Sequence, residues 1–364
     1  MQKNRFAFLD GLRGMAAIFV LMRHTQDLWH FEFFRSYLAV DLFFILSGFV
    51  IAYAYDNKLS TGVFSFSKFM KVRLIRLYPV FLLSISICAA VILSKAMLHH
   101  QVNADNWLDA ISLFASAALF IPIQLSVSST LFLPSVAIGL FPMNIPYWSL
   151  FFELIVNAAY ALLRPLLTSK ALIFIVSVSA IILTVLSYRY GNLSSGWFWG
   201  YESIITGLAR ATFGIFSGLL LHRHHANLLR FVNISPLVAY VLVAIVLTSP
   251  SLGGLDWLID SLAVMVVFPL AVIIASQSDK SKLAGVFTIL GAASYPMYVL
   301  HQPLGSLFYF KGLAGQYAPI SGIVFVVLMI GISVLVDKFY DTPVRKWIGK
   351  KGSNLPLPIS KNYT

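Results

Sequence analysis

The sequence predicts an all-α polytopic membrane protein, and three observations predict it. Of 364 residues, 59% are hydrophobic and only 11% are charged, against about 25% charged in an ordinary soluble domain. Apolar runs long enough to cross about 30 Å of hydrocarbon recur along the whole chain. Between those runs Lys and Arg gather in loops that alternate sides, as the positive-inside rule requires.

The runs lie near residues 6–28, 36–56, 76–98, 147–167, 170–188, 203–222, 257–276, 286–308 and 318–340, with a shorter one near 236–250. Together they give about ten transmembrane helices. Lys3 and Arg5 place the N-terminus inside, and the basic loop from Lys58 to Arg76 follows on the same side. Arg345, Lys346, Lys350 and Lys351 mark the tail as cytoplasmic, together with the loops around Arg223–Arg230 and Lys280–Lys282. Asp256 and Asp260 then fall outside. These halves join only if the apolar region 107–141 enters and leaves on the outer face, as a re-entrant or interfacial hairpin broken at Pro122 and Pro134. An eleventh span would turn one set of basic loops outward. The expected organisation is one membrane-embedded domain over residues 1–346 and a short cytoplasmic tail over 347–364. Arg13, Arg23 and His24 interrupt the first apolar run and no small-residue cleavage site follows, so it reads as a retained span rather than a signal peptide.

Composition excludes several classes. The basic excess, 26 Lys plus Arg against 14 Asp plus Glu, is what cytoplasmic loops facing anionic lipid carry, and no nucleic-acid partner is expected. The single cysteine, Cys88, excludes an intrachain disulfide and a Cys-rich zinc site, and reads as core packing. His222, His224 and His225 read as solvated basic residues of an inner loop, so no metal site and no bound cofactor are expected.

The chemistry begins in the first span, Asp10-Gly-Leu-Arg13 through Arg23-His24. Arg13 and His24 are separated by a rotation of about 1100° and a rise of about 16 Å, so they face nearly the same way. Ionisable groups on a spanning helix cost on the order of 3 kcal/mol each and normally face a protein interior or a water-filled cavity. The alternative is an interfacial Arg13 and a structural His24. In the second span Asp41 lies at about the depth of His24. It could orient the imidazole, or pair with Arg23 or Arg35; Ser47-Gly48 reads as helix packing.

In the third span Arg73 and Arg76 are three apart and share a face, a spacing that suits a phosphorylated ligand through paired guanidinium forks. With Arg13 they could line a cytoplasmic port for a nucleotide-bearing ligand; alone they would be a positive-inside anchor. Tyr147-Trp148-Ser149-Leu-Phe-Phe-Glu153 opens the fourth span from outside, with Ser149 and Glu153 one turn apart, either functional or an N-cap with an acid in the first turn. Tyr295, Tyr298 and His301 form a polar stripe on the ninth.

These segments together resemble the acyltransferase-3 family of integral membrane acyltransferases: Arg13-x10-His24, Asp41 to Gly48, Arg73-x-x-Arg76-Leu-Tyr-Pro, Trp148-Ser-Leu-x-x-Glu153 and Ser-Tyr-x-x-Tyr-x-x-His301, in that order over nearly the whole chain. The resemblance implies transfer of an acyl group, commonly acetyl, from cytoplasmic acyl-CoA as co-substrate to a carbohydrate of a cell-surface or exported glycan such as O-antigen or exopolysaccharide. It also implies a bacterial inner membrane. On it, Arg73 and Arg76 would take CoA phosphates with the pantetheine arm passing Arg13. His24 would be the general base, with a covalent acyl-histidine as the less favoured variant, and Asp41 and Glu153 would complete the catalytic set. Trp148, Ser149, Tyr295, Tyr298 and His301 would face the acceptor. Asp341 stands where the family usually has Glu, a change expected to touch a cap or salt bridge. An appended esterase-like domain is not expected. The rival class is a transporter or flippase using the Arg/His track.

Overall fold

The computed structural model describes residues 6–98, 104–124, 138–277, 283–307 and 316–351. Among these the regular elements are helices, with one isolated bridge between Gly139 and Phe198. We number the principal helices α1 (Ala7–Arg23), α2 (Ala39–Ser60), α3 (Phe66–Leu98), α4 (Ala104–Ala118), α5 (Tyr147–Leu163), α6 (Ser169–Tyr190), α7 (Tyr201–Arg223), α8 (Leu237–Thr248), α9 (Gly253–Ala275), α10 (Ala284–Leu307) and α11 (Ile320–Lys350). Seven of the described helices are long and apolar enough to cross a membrane. The protein is an all-α membrane protein.

Local rules explain the helix ends. α6 starts where the Thr168 hydroxyl accepts the Ala171 N–H at 3.2 Å, and stops where Gly191 takes φ +81°, the left-handed conformation that closes helices. α1 stops at His24, whose Nδ1 bonds the carbonyl of Val20 at 2.9 Å and so satisfies a last-turn acceptor with no helical partner. In the region 107–141, where a hairpin is expected, the described residues hold most of α4 and a 3.2 Å bond from Ile123 N–H to the Leu140 carbonyl, while residues 125–137 lie outside them. Pro122 sits in the non-helical stretch after α4; Pro134 lies outside the described residues, as do Lys280 and Lys282.

Lipid tails are as apolar as leucine, so spanning helices associate through close backbone approach and polar contacts. Two pairs do this with glycine. α1 lies on α10, where a Cβ on Gly14 would run into Leu290 and one on Gly291 into Asp10. α2 lies on α7, where Gly48 faces the backbone of Ile215 and Gly218 that of Ile45 and Phe49. These contacts bring Arg13 and His24 of α1 beside the Tyr295–His301 stripe of α10. They also set Asp41 and Ser47 of α2 between α7 and α5.

Buried ion clusters fasten the two ends of the bundle. Arg35, fully buried, bonds Asp256 and holds Asp260 at 3.2 Å, while the Tyr37 hydroxyl and the Leu193 N–H donate to the same Asp260 at 2.6 and 2.9 Å. At the other end Asp56 is held by Arg164, by Arg223 at 3.0 Å and by the Tyr160 hydroxyl at 2.9 Å. Each carboxylate is matched by cations and donors, without which burial of the charge would be prohibitive.

Candidate active site

A cavity of about 240 Å³ opens among α1, α2, α3, α5, α10 and α11. One end is strongly basic, lined by Arg13, Arg73, Arg76, Arg345 and Lys346. The other is lined by Val40, Phe43, Ser149 and Tyr298, with Ser47 and Glu153 in the wall. Arg345 and Lys346 enter from the last helix because residues Asp337–Asp341 form a π-helical turn. One extra residue in a turn rotates the downstream part of a helix by about 100°. Asp341 sits in that turn and ties the cluster together, meeting Arg345 at 2.8 Å and Arg76 at 3.2 Å. Asp341 therefore makes salt bridges to two arginines of the cavity, one of the two parts expected of it.

Arg73 makes a 2.5 Å ion pair with Glu153, which also accepts the Ser47 hydroxyl at 2.6 Å. Its Nε is buried without a partner among the described residues, a cationic donor left unused in a basic cavity. Arg76 lies over the ring of Tyr295 at 5.4 Å. The Tyr295 hydroxyl donates to the Leu77 carbonyl at 2.6 Å.

The two histidines meet one helical turn beyond Tyr298. His301 Nε2 is 3.1 Å from His24 Nδ1, and His301 Nδ1 is 3.1 Å from the Met297 carbonyl. Carbonyls only accept, so in the neutral pair each Nδ1 carries its proton. His24 Nδ1–H is then shared between Val20 and His301, and His24 Nε2 keeps its lone pair. His301 is fully buried, whereas His24 is exposed. The accessible lone pair therefore belongs to His24.

Tyr298 and His301 are held by a polar clamp. Pro303 has no N–H to give the carbonyl of Val299 one turn earlier. The Ser84 hydroxyl at 2.5 Å and the Asn144 amide at 2.9 Å donate to it instead, and the Tyr147 hydroxyl donates to Ser84 at 2.7 Å. Gln302 accepts the Ile145 N–H at 3.0 Å. The proline break is thus stitched to α3 and to the chain entering α5.

Several sequence expectations are corrected here. Asp41 does not reach His24; it pairs with Arg210, buried, through Nη2 at 2.6 Å and Nε at 2.9 Å. Neither alternative partner is used, since Arg35 is held by Asp256 and Asp260, and Arg23 faces Glu32 at 3.6 Å. Trp148 offers no free face to a sugar: it is 6% exposed, with Arg210 over its ring at 5.1 Å. Glu153 is not at the mouth of α5: six residues past the helix start carry it about 9 Å along the axis, to Arg73. Ser149 is inside the helix rather than an N-cap, and its hydroxyl is 2.5 Å from that of Tyr298. Tyr295 belongs to the basic end and His301 to the histidine pair. Ser47, read as packing, bonds Glu153; its neighbour Gly48 does pack closely.

Arg210, Ser84 and Asn144 escaped sequence reasoning, and Arg345 and Lys346 read from sequence only as markers of the tail. A usable signal existed for Arg210: an Arg in the middle of one apolar run and an Asp well inside another need each other, because neither charge is tolerated alone.

A bundle of apolar helices thus encloses a basic cavity, with a histidine pair one helical turn beyond Tyr298. The chain belongs to the acyltransferase-3 family, whose model, described as an acyltransferase domain, matches residues 6–338. It is a membrane acyltransferase. A similar protein is "Protein 2 in picA locus" of Rhizobium radiobacter, 37% identical over 195 residues that cover 51% of this chain and 97% of that protein. No solved structure matches the chain.

Proposed function

We propose that this protein moves an acyl group, acetyl in the simplest case, from cytoplasmic acyl-CoA to a carbohydrate hydroxyl of a cell-surface or exported glycan. On this reading it lies in a bacterial inner membrane with both termini cytoplasmic. The observation that carries the reading is the basic cavity, with its unused Arg73 Nε, ending one helical turn short of an accessible imidazole lone pair. Arg73, Arg76 and Arg13 bind the CoA phosphates, joined by Arg345 and Lys346, and the pantetheine arm runs along α10 toward His24. The hydroxyl oxygen bonds the thioester carbonyl carbon as His24 Nε2 takes the hydroxyl proton; the carbon–sulfur bond breaks, and the proton passes to the leaving thiolate. The imidazolium formed at His24 donates Nδ1–H to Val20 and His301, so His301 is a positioning residue in the place that Asp41 was expected to fill.

Mass spectrometry of surface glycans from cells with and without the gene tests the reaction. An O-acyl ester that disappears with the gene is expected, and an unchanged glycan with altered export would favour transport. The donor end has its own test. Arg73→Ala and Arg76→Ala should each weaken acetyl-CoA binding to purified protein by about 1.5 to 3 kcal/mol, the range for hydrogen bonds to charged groups. Unchanged affinity in both, by titration calorimetry, would remove the CoA assignment.

A further inference from the structure

Neither His24 nor His301 lines the cavity, although Tyr298 does. Along α10 the order is Tyr295 beneath Arg76, then Tyr298, then His301, each about 4.5 Å further along the axis. Tyr298 therefore stands between the donor cavity and the histidine pair, its ring 6.3 Å from that of His301. The ring is not free to swing. Its hydroxyl is 2.5 Å from Ser149 Oγ and donates to the Pro146 carbonyl at 3.1 Å. Phe43 meets the ring from α2, edge-on to Tyr298 at 5.5 Å, and is itself half-buried and lines the cavity.

We propose that Phe43 and Tyr298 form an aromatic gate between the donor cavity and His24, and that the gate sets the acyl specificity by admitting a short acyl thioester and excluding a long one. The proposal rests on the acyl-CoA reading of the cavity. Tyr298 is anchored by its hydroxyl, so Phe43, with no polar tether, is the side that determines the opening. An apolar constriction of this kind discriminates by one or two methylene groups at a time, each worth on the order of tenfold or more.

The test uses membrane vesicles from cells carrying the full chain, supplied with acetyl-, butyryl- or hexanoyl-CoA, with esters in the vesicle glycan fraction measured by mass spectrometry. For the parent, acetyl transfer should dominate. Phe43→Ala should raise the hexanoyl-to-acetyl ratio about tenfold or more, and Phe43→Leu should raise it less; the Leu variant decides the matter if the Ala variant fails to fold. A ratio unchanged in the variant that folds, or a parent that already transfers hexanoyl as readily as acetyl, overturns the gate while leaving acyl-CoA use intact. A parent that transfers nothing from any acyl-CoA overturns the acyl-CoA reading, and the gate with it.

Discussion

Replacing His24 by Ala should lower the rate of acyl transfer by about 10²- to 10⁴-fold, the usual contribution of a positioned base, at equal amounts of folded protein and with acyl-CoA affinity retained. The competing account is structural. His24 also closes α1 by bonding the Val20 carbonyl at 2.9 Å, and a purely capping histidine would cost activity only in proportion to the protein lost. Rates normalised to folded, acetyl-CoA-binding protein separate the two, and a loss of only a few-fold would dismiss the base. His301→Ala should cost less than His24→Ala, because His301 is buried and acts through the ring of His24. As a base works only in its neutral form, the rate should rise with pH through one titration. Asp41→Asn should leave that profile where it is, since both carboxylate oxygens of Asp41 are bonded to Arg210 rather than to the imidazole.

The helices and most of the motif residues were legible because apolar run length and the order of short motifs are one-dimensional properties. The pairing of particular charges stayed hidden. Depth along a span suggests that Asp41 and His24 are level, but depth says nothing about direction around the helix. α2 turns its Asp41 toward α7 because Gly48, Gly214 and Gly218 let those two helices touch. Glu153 is harder to place for the converse reason: its nearness in sequence to the first residue of α5 hides the distance that six helical residues cover. Arg345 and Lys346 read as topology markers, and only the π-helical turn at Asp337–Asp341 aims them at the cavity. Regular 3.6-residue periodicity cannot foresee that turn.

Arg210→Met should destabilise the fold by about 3 to 5 kcal/mol, the cost of leaving a buried carboxylate without its partner. Arg210 is 1% exposed and Asp41 is fully buried. The same guanidinium donates to the Ser195 carbonyl at 2.7 Å and to the Tyr37 carbonyl at 3.0 Å, so its loss also unpairs two backbone acceptors. Asp41→Leu combined with Arg210→Met should recover much of the loss, because removing both charges eliminates the stranded one. Recovery should stop short of the parent by about 1 kcal/mol for each carbonyl left unbonded. The pair also has a reach into the site. Arg210 covers Trp148 at 5.1 Å, and the next residue, Ser149, bonds Tyr298. The double variant should therefore fold yet hold Tyr298 less firmly, with acyl transfer reduced more than stability. Denaturation in detergent followed by single-turnover transfer at matched folded fraction reads both quantities. A single Arg210→Met variant as stable as the parent would show that Asp41 finds another partner and that the buried pair does not organise this end of the bundle.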